Sequence, residues 1–313
     1  MAFASKELNV NGLNFHVVDV VDESKPGPHP VVLLLHGFPD SSEVWRYQIP
    51  ALRGAGYRVI APDLRGFGQS SKPLKQTDYK LALLGRDVLG ILVQLGIGEF
   101  HLVGHDWGAV LAWGLAAHMS KPSSEKALAG MPPAPGSAVQ PLRVKPEIKS
   151  LAVLSVGHPN AYKQPDIEQR EKSWYILFFQ FNEAIYDLQD NDYKLLRDWS
   201  GNHTEATQWI AHFESDKPAR LLAMLNWYRA NLNPDHSIVD DEPLPQIMIP
   251  TKGVWSSGDL HQTESPMKRS GQYVEEGKWT YEPIDGAGHW MQLDKPDHIN
   301  KLLLDWLQQR AAK

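Results

Sequence analysis

The stretch Phe100–Ala112 reads Phe-His-Leu-Val-Gly-His-Asp-Trp-Gly-Ala-Val-Leu-Ala and decides how this chain folds. An apolar run, typical of a buried strand, leads into a Gly-x-Asp-x-Gly turn and then into a helical pattern. Glycines two positions to either side of a central residue let the strand and the helix pack closely, while the central side chain points outward. The stretch therefore predicts a nucleophile elbow with Asp106 at its tip.

An aspartate at the tip favours attack on a saturated carbon atom. Serine attacking such a carbon would leave an ether, whereas an aspartate leaves an ester that water can cleave at the enzyme's own carbonyl group. A carboxyl group with a pKa of ~4 is already ionised at pH 7, so this attack needs no base. The electrophile we expect is an epoxide or an alkyl halide. The alternative is that Asp106 merely N-caps the helix beginning near Trp107.

Composition narrows the class of protein. The chain has 313 residues, 42% of them hydrophobic, so it can bury a large core as one domain or as a core with an insertion. A net charge of −6 without basic runs argues against a nucleic-acid partner, and Gly66-Phe67-Gly68 lacks the third glycine of a dinucleotide loop. The absence of cysteine excludes disulfides, thiolate chemistry and cysteine metal sites. We expect neither a metal nor a cofactor.

The N-terminal residues contain no apolar stretch of signal-peptide length, and no window has the ~20 apolar residues of a membrane span. These observations predict a cytoplasmic protein that does not bind membranes. A homodimer is left open.

The order of the predicted elements indicates an α/β architecture. Asn11-Gly12 predicts a type I′ hairpin turn near the N-terminus. Strands and helices then alternate, among them a helix expected over 42–54 and a strand expected from Ile247 to Trp255, which predicts a mostly parallel twisted sheet flanked by helices. Residues 160–232 contain no strand-like run and are rich in aromatic residues, so we expect a helical cap there, with its first helix over 167–184. The core is then formed by residues 1–159 and 233–313. A stretch rich in proline, serine, glycine and alanine, Lys121–Pro146, is expected to be an exposed loop or partly disordered, with an unknown role.

A base and an acid complete the predicted site. His289 follows the last predicted strand, and Asp259 follows the strand before it, so both should lie with Asp106 at the carboxyl edge of the sheet. An unperturbed imidazole is neutral at pH 7, so His289 should be available to activate water and Asp259 to orient it. The backbone N–H groups of Phe38 and Trp107 are predicted to form the oxyanion hole for ester hydrolysis.

Four motifs carry a resemblance to a known family. His36-Gly37-Phe38-Pro39, Gly104–Gly108, Asn226–Arg229 and Gly288-His289 together resemble the soluble epoxide hydrolases of the α/β-hydrolase fold. The resemblance covers nearly the whole chain and implies an inserted cap and hydrolysis of an epoxide to a vicinal diol.

The same resemblance implies further residue roles. Tyr228 and Tyr175 would hold the epoxide oxygen and donate a proton as the ring opens, although an aromatic-rich helix could also use them as core residues. The Phe38–Pro39 bond would be cis. The side chains expected to line the substrate pocket are His36, Pro39, Phe179 and Trp290.

Two alternatives stay open. A haloalkane dehalogenase shares Asp106, His289 and Trp107, but such enzymes usually pair this tryptophan with an asparagine where Phe38 stands, or with a second cap tryptophan. A halide also leaves unprotonated, so tyrosine donors would have no function. The second alternative is a non-catalytic ligand-binding relative.

Overall fold

The computed structural model describes residues 3–119, 146–163, 165–216, 219–232 and 243–311. Within these ranges eight strands form one sheet, in the order β1-β2-β4-β3-β5-β6-β7-β8. The strands are β1 (Ser5–Val10), β2 (Leu13–Val20), β3 (Val31–Leu35), β4 (Arg58–Pro62), β5 (Glu99–His105), β6 (Glu147–Leu154), β7 (Thr251–Ser256) and β8 (Trp279–Ile284). The α-helices are α1 (Gln48–Gly54), α2 (Leu81–Gln94), α3 (Trp107–Met119), α4 (Ile167–Lys172), α5 (Trp174–Phe178), α6 (Ala184–Trp199), α7 (Ala206–Glu214), α8 (Ala219–Asn231), α9 (Glu264–Arg269), α10 (Met291–Asp294) and α11 (Pro296–Ala311).

Strands β4, β3, β5, β6, β7 and β8 are parallel, and the N-terminal hairpin joins them through β2, which is antiparallel to both β4 and β1. The apolar run of β3 lies between β4 and β5, with Leu33, Leu34 and Leu35 completely buried. A strand buried on both faces needs such a continuous apolar sequence. Asn11 and Gly12 have φ angles of 53° and 79°, which confirms the predicted type I′ turn. The predicted α/β class and mostly parallel sheet are confirmed.

The topology brings five loops to one edge of the sheet. Strands β3, β5, β6, β7 and β8 are neighbours, and all of them end at this edge because they are parallel. The residues that follow them include His36, Asp106, Ser155, Asp259 and His289.

The helices α4–α8, named here the helical segment, lie between β6 and β7 in the chain. They contact the loops after the strands: Arg46 pairs with Glu205 at 2.7 Å, and the Trp227 indole donates to the Arg65 carbonyl at 2.9 Å. The division of the chain into a core and a cap remains a prediction.

Helix boundaries differ from the expectations where the sequence carries local breaks. A single helix was expected over 167–184, but the chain forms two short helices that separate at Ser173, and α6 begins only at Ala184. Phe179 is buried while Phe181 is 55% exposed, so the turn after α5 sends neighbouring aromatic side chains in different directions. Helix α6 is itself interrupted at Asp190–Tyr193, where three residues have positive φ angles.

Prolines explain two further differences. A helix expected over 42–54 is a 3₁₀ turn at Ser42–Trp45 followed by α1, because Pro50 is tolerated only in the first turn of a helix. The strand expected from Ile247 begins at Thr251, directly after Pro250, which cannot donate to a sheet. Of the stretch Lys121–Pro146, only Pro146 lies within the described residues. None of the helices in the described ranges has the length and apolarity that crossing a membrane requires.

Candidate active site

Asp106 occupies a strained turn between β5 and α3. Its φ angle is +52°, in the left-handed region that non-glycine residues rarely adopt and that is often found at functional sites. The turn needs glycine nearby: a Cβ on Gly108 would lie 2.2 Å from the Leu35 carbonyl oxygen, and one on Gly37 would lie 2.2 Å from Asp106 Oδ1. Helix α3 starts at the next residue, so its N-terminal dipole favours the negative charge.

The Asp106 carboxylate is buried with its two oxygens in different surroundings. Oδ1 accepts a hydrogen bond of 2.7 Å from the Phe38 N–H, while Oδ2 lies 3.5 Å from His289 Nε2. Burial would raise the pKa of Asp106, but the hydrogen bond and charge of His289 outweigh burial and lower it. The carboxylate is therefore ionised at neutral pH. Within the described residues the Trp107 N–H makes no hydrogen bond to it, so only one of the two expected oxyanion donors is engaged.

His289 connects Asp106 to Asp259. Its Nδ1 lies 3.1 and 3.0 Å from the two Asp259 oxygens, and its Nε2 faces Asp106. Asp259 is held in turn by the N–H groups of His261 and Gln262, which donate to its Oδ1 at 2.8 and 3.0 Å. The structure thus brings together the three residues expected as nucleophile, base and acid, which stand at the ends of β5, β8 and β7.

The charge of His289 differs from the expectation. Burial alone would lower its pKa, but the carboxylates of Asp259 and Asp106 raise the pKa to about 10. The resting protein therefore does not favour the neutral imidazole expected at pH 7, because two carboxylates from different strands contact one ring. His289 is an imidazolium until one of these charges is removed.

Tyr175 and Tyr228 of the helical segment lie near the same carboxylate, and the Tyr228 ring packs 5.5 Å from Phe38 and 5.0 Å from Trp107. Their rings lie 6.0 Å apart at 80° to one another, and each residue is only 3% exposed. Burial, and next the charge of Asp106, raise the pKa of both phenols well above the ordinary value. Both hydroxyls are consequently protonated at neutral pH, and both lie close enough to Asp106 for its charge to raise their pKa.

A family model described as the alpha/beta hydrolase fold matches residues 30–296. Human epoxide hydrolase 4 is 30% identical over 97% of this chain and 78% of its own length. The chain belongs to the epoxide hydrolase family of the α/β-hydrolase fold. The AB hydrolase superfamily protein YfhM of Bacillus subtilis is 29% identical over 97% of each chain. A solved structure described as novel epoxide hydrolases in metagenomes from hot environments is 27% identical, covers 98% of this chain and 99% of its own, and has a TM-score of 0.76. The predicted family and hydrolase class are confirmed.

In this member of the family, two of the four expected pocket residues lie among the aromatic side chains around the site. Phe179 packs 4.9 Å from the Tyr228 ring and 5.5 Å from the Phe38 ring. Trp290 packs 5.0 Å from the His289 ring. Pro39 is buried after the cis bond that was expected between Phe38 and Pro39.

The fourth expected pocket residue, His36, is held by hydrogen bonds between two loops of the core. Its Nε2 accepts the Leu64 N–H at 3.0 Å and its Nδ1 lies 3.0 Å from the Gly37 carbonyl oxygen, in a completely buried position. Both ring nitrogens are therefore occupied between two loops of the core. The residue joins the loops that follow β3 and β4, and its contact with substrate stays a prediction.

Three residues close to the site escaped the sequence analysis. The Ser155 hydroxyl donates to Asp259 Oδ2 at 2.7 Å and lies 2.9 Å from His289 Nδ1. Its φ angle is +72°, so β6 ends in a second strained turn. Only its position after a predicted parallel strand could have singled it out. His261 was overlooked although it stands two residues after the expected acid.

The third residue is Asp40, which joins the helical segment to the loop that contains His289. Its two oxygens accept the indole N–H groups of Trp209 and Trp290, each at 2.9 Å. Burial raises the pKa of Asp40 to about 7, because the two indole hydrogen bonds compensate only in part. The sequence signal was its place directly after Pro39. Within the described residues, no group of three or more metal-ligating side chains is arranged to hold a metal ion.

Proposed function

We propose that this protein hydrolyses epoxides to vicinal diols through an ester on Asp106. The observation that carries the proposal is one ionised carboxylate near two buried phenols, whose pKa burial and the charge of that carboxylate both raise. A carboxylate can attack an epoxide carbon unaided, but the departing alkoxide is strongly basic and needs a proton donor. The side chains of Tyr175 and Tyr228 are donors of this kind.

In the first step, Oδ2 of Asp106 attacks a ring carbon of the epoxide. A carbon–oxygen bond to the carboxylate forms as the ring carbon–oxygen bond breaks, and a phenol proton neutralises the alkoxide. Oδ1 then becomes the carbonyl oxygen of the ester, and it already accepts the Phe38 N–H. Attack is assigned to Oδ2 because this oxygen faces His289, whereas Oδ1 is already held by the Phe38 N–H.

In the second step, water cleaves the ester. Esterification removes the Asp106 charge that helps to keep His289 protonated, so the imidazolium can release a proton that restores the phenol. The neutral imidazole then takes a proton from the water as the water oxygen attacks the ester carbonyl carbon. The tetrahedral intermediate then collapses: its bond to the substrate oxygen breaks, and that oxygen takes the proton of the newly added hydroxyl group. The diol leaves, and the carboxylate and the imidazolium are restored. The Phe38 N–H, and that of Trp107 after a small shift of Oδ1, would stabilise the oxyanion.

A haloalkane substrate is less well supported by the same contacts. The Tyr228 ring packs edge-on against the Trp107 ring with centroids 5.0 Å apart, so the indole lies beside a phenol proton donor and not beside a second halide donor. A departing halide would also leave the two phenols without a role. A non-catalytic relative would not need the connected set of Asp106, His289 and Asp259.

Several finer features belong to the same proposal. Helices α4–α8 act as the cap over Asp106, while Phe179, Pro39 and Trp290 line the substrate pocket. A cytoplasmic location and a homodimer stay predictions from the sequence.

Diol and halide release separate the two reactions. Purified protein is incubated with a panel of terminal and disubstituted epoxides and with 1-chloro- and 1-bromoalkanes of matched length. We expect diol from epoxides, no halide, and no product with Asp106→Ala. Halide release that depends on Asp106 would favour the dehalogenase, and a folded wild-type protein that turns over neither class would overturn the proposal.

A further inference from the structure

Helix α4 of the helical segment contacts the acid loop, the name used here for residues 259–263. Two side chains of this helix reach the backbone of the loop. The Lys172 ammonium group donates to the Asp259 carbonyl oxygen at 2.7 Å. The second side chain is that of Gln169, which is only 1% exposed. The loop that carries the acid is therefore held from outside the sheet.

The Gln169 carboxamide group uses all of its hydrogen-bonding capacity. Its Nε2 donates to the His261 carbonyl oxygen and to Ser173 Oγ, each at 2.9 Å. Its Oε1 accepts the backbone N–H and the hydroxyl group of Thr263, at 2.8 and 3.0 Å. A carboxamide offers two donors and one oxygen with two lone pairs, so these four bonds fix the side chain in one orientation.

The peptide group between His261 and Gln262 connects Gln169 to the acid. Its carbonyl oxygen accepts from Gln169, while its N–H donates to Asp259 Oδ1 at 3.0 Å. Because a peptide group is planar, a bond that fixes the direction of the carbonyl group also fixes the direction of the N–H group. The N–H of the preceding peptide group, that of His261, donates to the same oxygen at 2.8 Å. Gln169 therefore helps to aim both donors at Asp259.

The direction of the Asp259 carboxylate determines the direction of the His289 ring. Burial would raise the pKa of Asp259, but the charge and hydrogen bond of His289, together with the His261 N–H, keep it well below the ordinary value. The ionised carboxylate lies 3.1 and 3.0 Å from His289 Nδ1, and the other ring nitrogen faces Asp106. If the carboxylate turned, the imidazole would lose the partner that orients it.

We propose that Gln169 and Lys172 are positioning residues for hydrolysis of the ester. They hold the acid loop in the orientation in which Asp259 aligns the base, and they act through that loop. The inference rests on the proposed function and adds that the helical segment contributes to its second step. Ester formation needs no base, so the first step should not depend on these two residues.

Single turnovers followed by intact-protein mass test this role one step at a time. The substrate is the epoxide of the panel that the wild-type protein hydrolyses fastest. Gln169→Met keeps the length of the side chain and removes its four hydrogen bonds. We expect ester hydrolysis to slow about tenfold to a hundredfold, because displacing an aligned group by about 1 Å has an effect of this size. The rate of ester formation should stay within about threefold of that of the wild-type protein.

Asn231→Leu is the matched control. The Asn231 carboxamide group also joins the helical segment to backbone groups of the core: it accepts the Leu81 N–H at 2.9 Å and donates to the Tyr79 carbonyl oxygen at 2.8 Å. Neither of these groups belongs to the acid loop, so both rates should stay within about threefold of the wild-type rates. If Gln169→Met does not fold, Lys172→Met tests the same loop through a less buried side chain and should slow ester hydrolysis about threefold to tenfold.

Proton NMR of the resting protein measures the alignment without substrate. The proton between His289 Nδ1 and Asp259 should give a signal at low field, which is assigned by its loss in His289→Gln. We expect Gln169→Met to shift or broaden this signal and Asn231→Leu to leave it unchanged. A residue that only stabilises the fold would leave the signal in place in the folded variant.

The outcomes distinguish this inference from the proposed function. Ester hydrolysis at the wild-type rate in Gln169→Met, or equal slowing of both steps, would overturn the positioning role while epoxide hydrolysis stands. Selective slowing of hydrolysis in Asn231→Leu would overturn it too, because the effect would then not be specific to the acid loop. Failure of the folded wild-type protein to hydrolyse any epoxide would overturn the proposed function, and this inference with it.

Discussion

Ester formation on Asp106 should lower the pKa of His289, because the carboxylate facing its Nε2 loses its charge. The two groups are 3.5 Å apart, and at an effective dielectric constant of ~20 their attraction is about 5 kcal/mol, or roughly three orders of magnitude in the protonation equilibrium. When Asp106 is esterified, the pKa of His289 should therefore fall from about 10 towards the ordinary value of an imidazole. The charge on Asp259 remains and keeps the pKa from falling further.

The two chemical steps then differ in their dependence on pH. Ester formation needs only the Asp106 anion and protonated phenols, so its rate should be constant between about pH 5.5 and 9. Ester hydrolysis needs neutral His289. Its rate should therefore fall about tenfold per pH unit once the pH drops below the pKa of the ester form.

Rapid quenching of a single turnover, with enzyme in excess over epoxide, measures both rates by intact-protein mass. The ester adds the mass of the epoxide and disappears as it is hydrolysed. The control is His289→Gln, which should form the ester at a similar rate and retain it. A hydrolysis rate that stays constant down to pH 5.5 while ester formation slows would refute the reasoning, because it would assign the titrating group to the first step.

Three further changes have measurable consequences. Tyr175→Phe and Tyr228→Phe together should slow ester formation by about a hundredfold or more, because they remove the general acid. The rate of hydrolysis of preformed ester should stay within a few fold of that of the wild-type protein. Unchanged ester formation in quench experiments would contradict this role. Ser155→Ala removes a hydrogen bond to the buried Asp259 carboxylate and should slow ester hydrolysis about tenfold without affecting ester formation; equal slowing of both steps would point to a general structural defect. Asp40→Asn should change stability in a pH-dependent way. The pKa of Asp40 is raised to about 7 in the folded chain, so its contribution to stability is lost as the pH rises, by about 2.5 kcal/mol between pH 5 and 7.5. Urea unfolding of the wild-type protein and the asparagine variant should differ by this amount between the two pH values, and parallel pH profiles would disprove the assignment.

Much of the fold was predictable because its signals are local. Asn11-Gly12 specifies a tight hairpin, and the apolar run before His36 specifies a doubly buried strand. Parallel strands then bring Asp106, Asp259 and His289 to one edge regardless of the details of the helices between them. The order of the strands and helices alone was therefore enough to predict that these three residues meet.

Other features depend on contacts that no local pattern shows. The charge of His289 depends on two carboxylates that come from different strands. His36 stands within a motif that predicts the pocket, yet the N–H of Leu64 occupies its ring in the core. The hydroxyl of Ser155 reaches Asp259 only because β6 and β7 are neighbours and β6 ends in a left-handed turn. Such pairings appear only once the sheet order is known.

A single turnover in water enriched in ¹⁸O tests the central claim most directly. If Asp106 forms an ester that water cleaves at its carbonyl carbon, the first turnover should place the label in the Asp106 carboxylate, and the diol should be unlabelled. Peptide mapping by mass spectrometry measures the label in Asp106, and mass analysis measures the label in the diol. A labelled diol and an unlabelled Asp106 would mean that water attacks the epoxide directly, and would contradict the account.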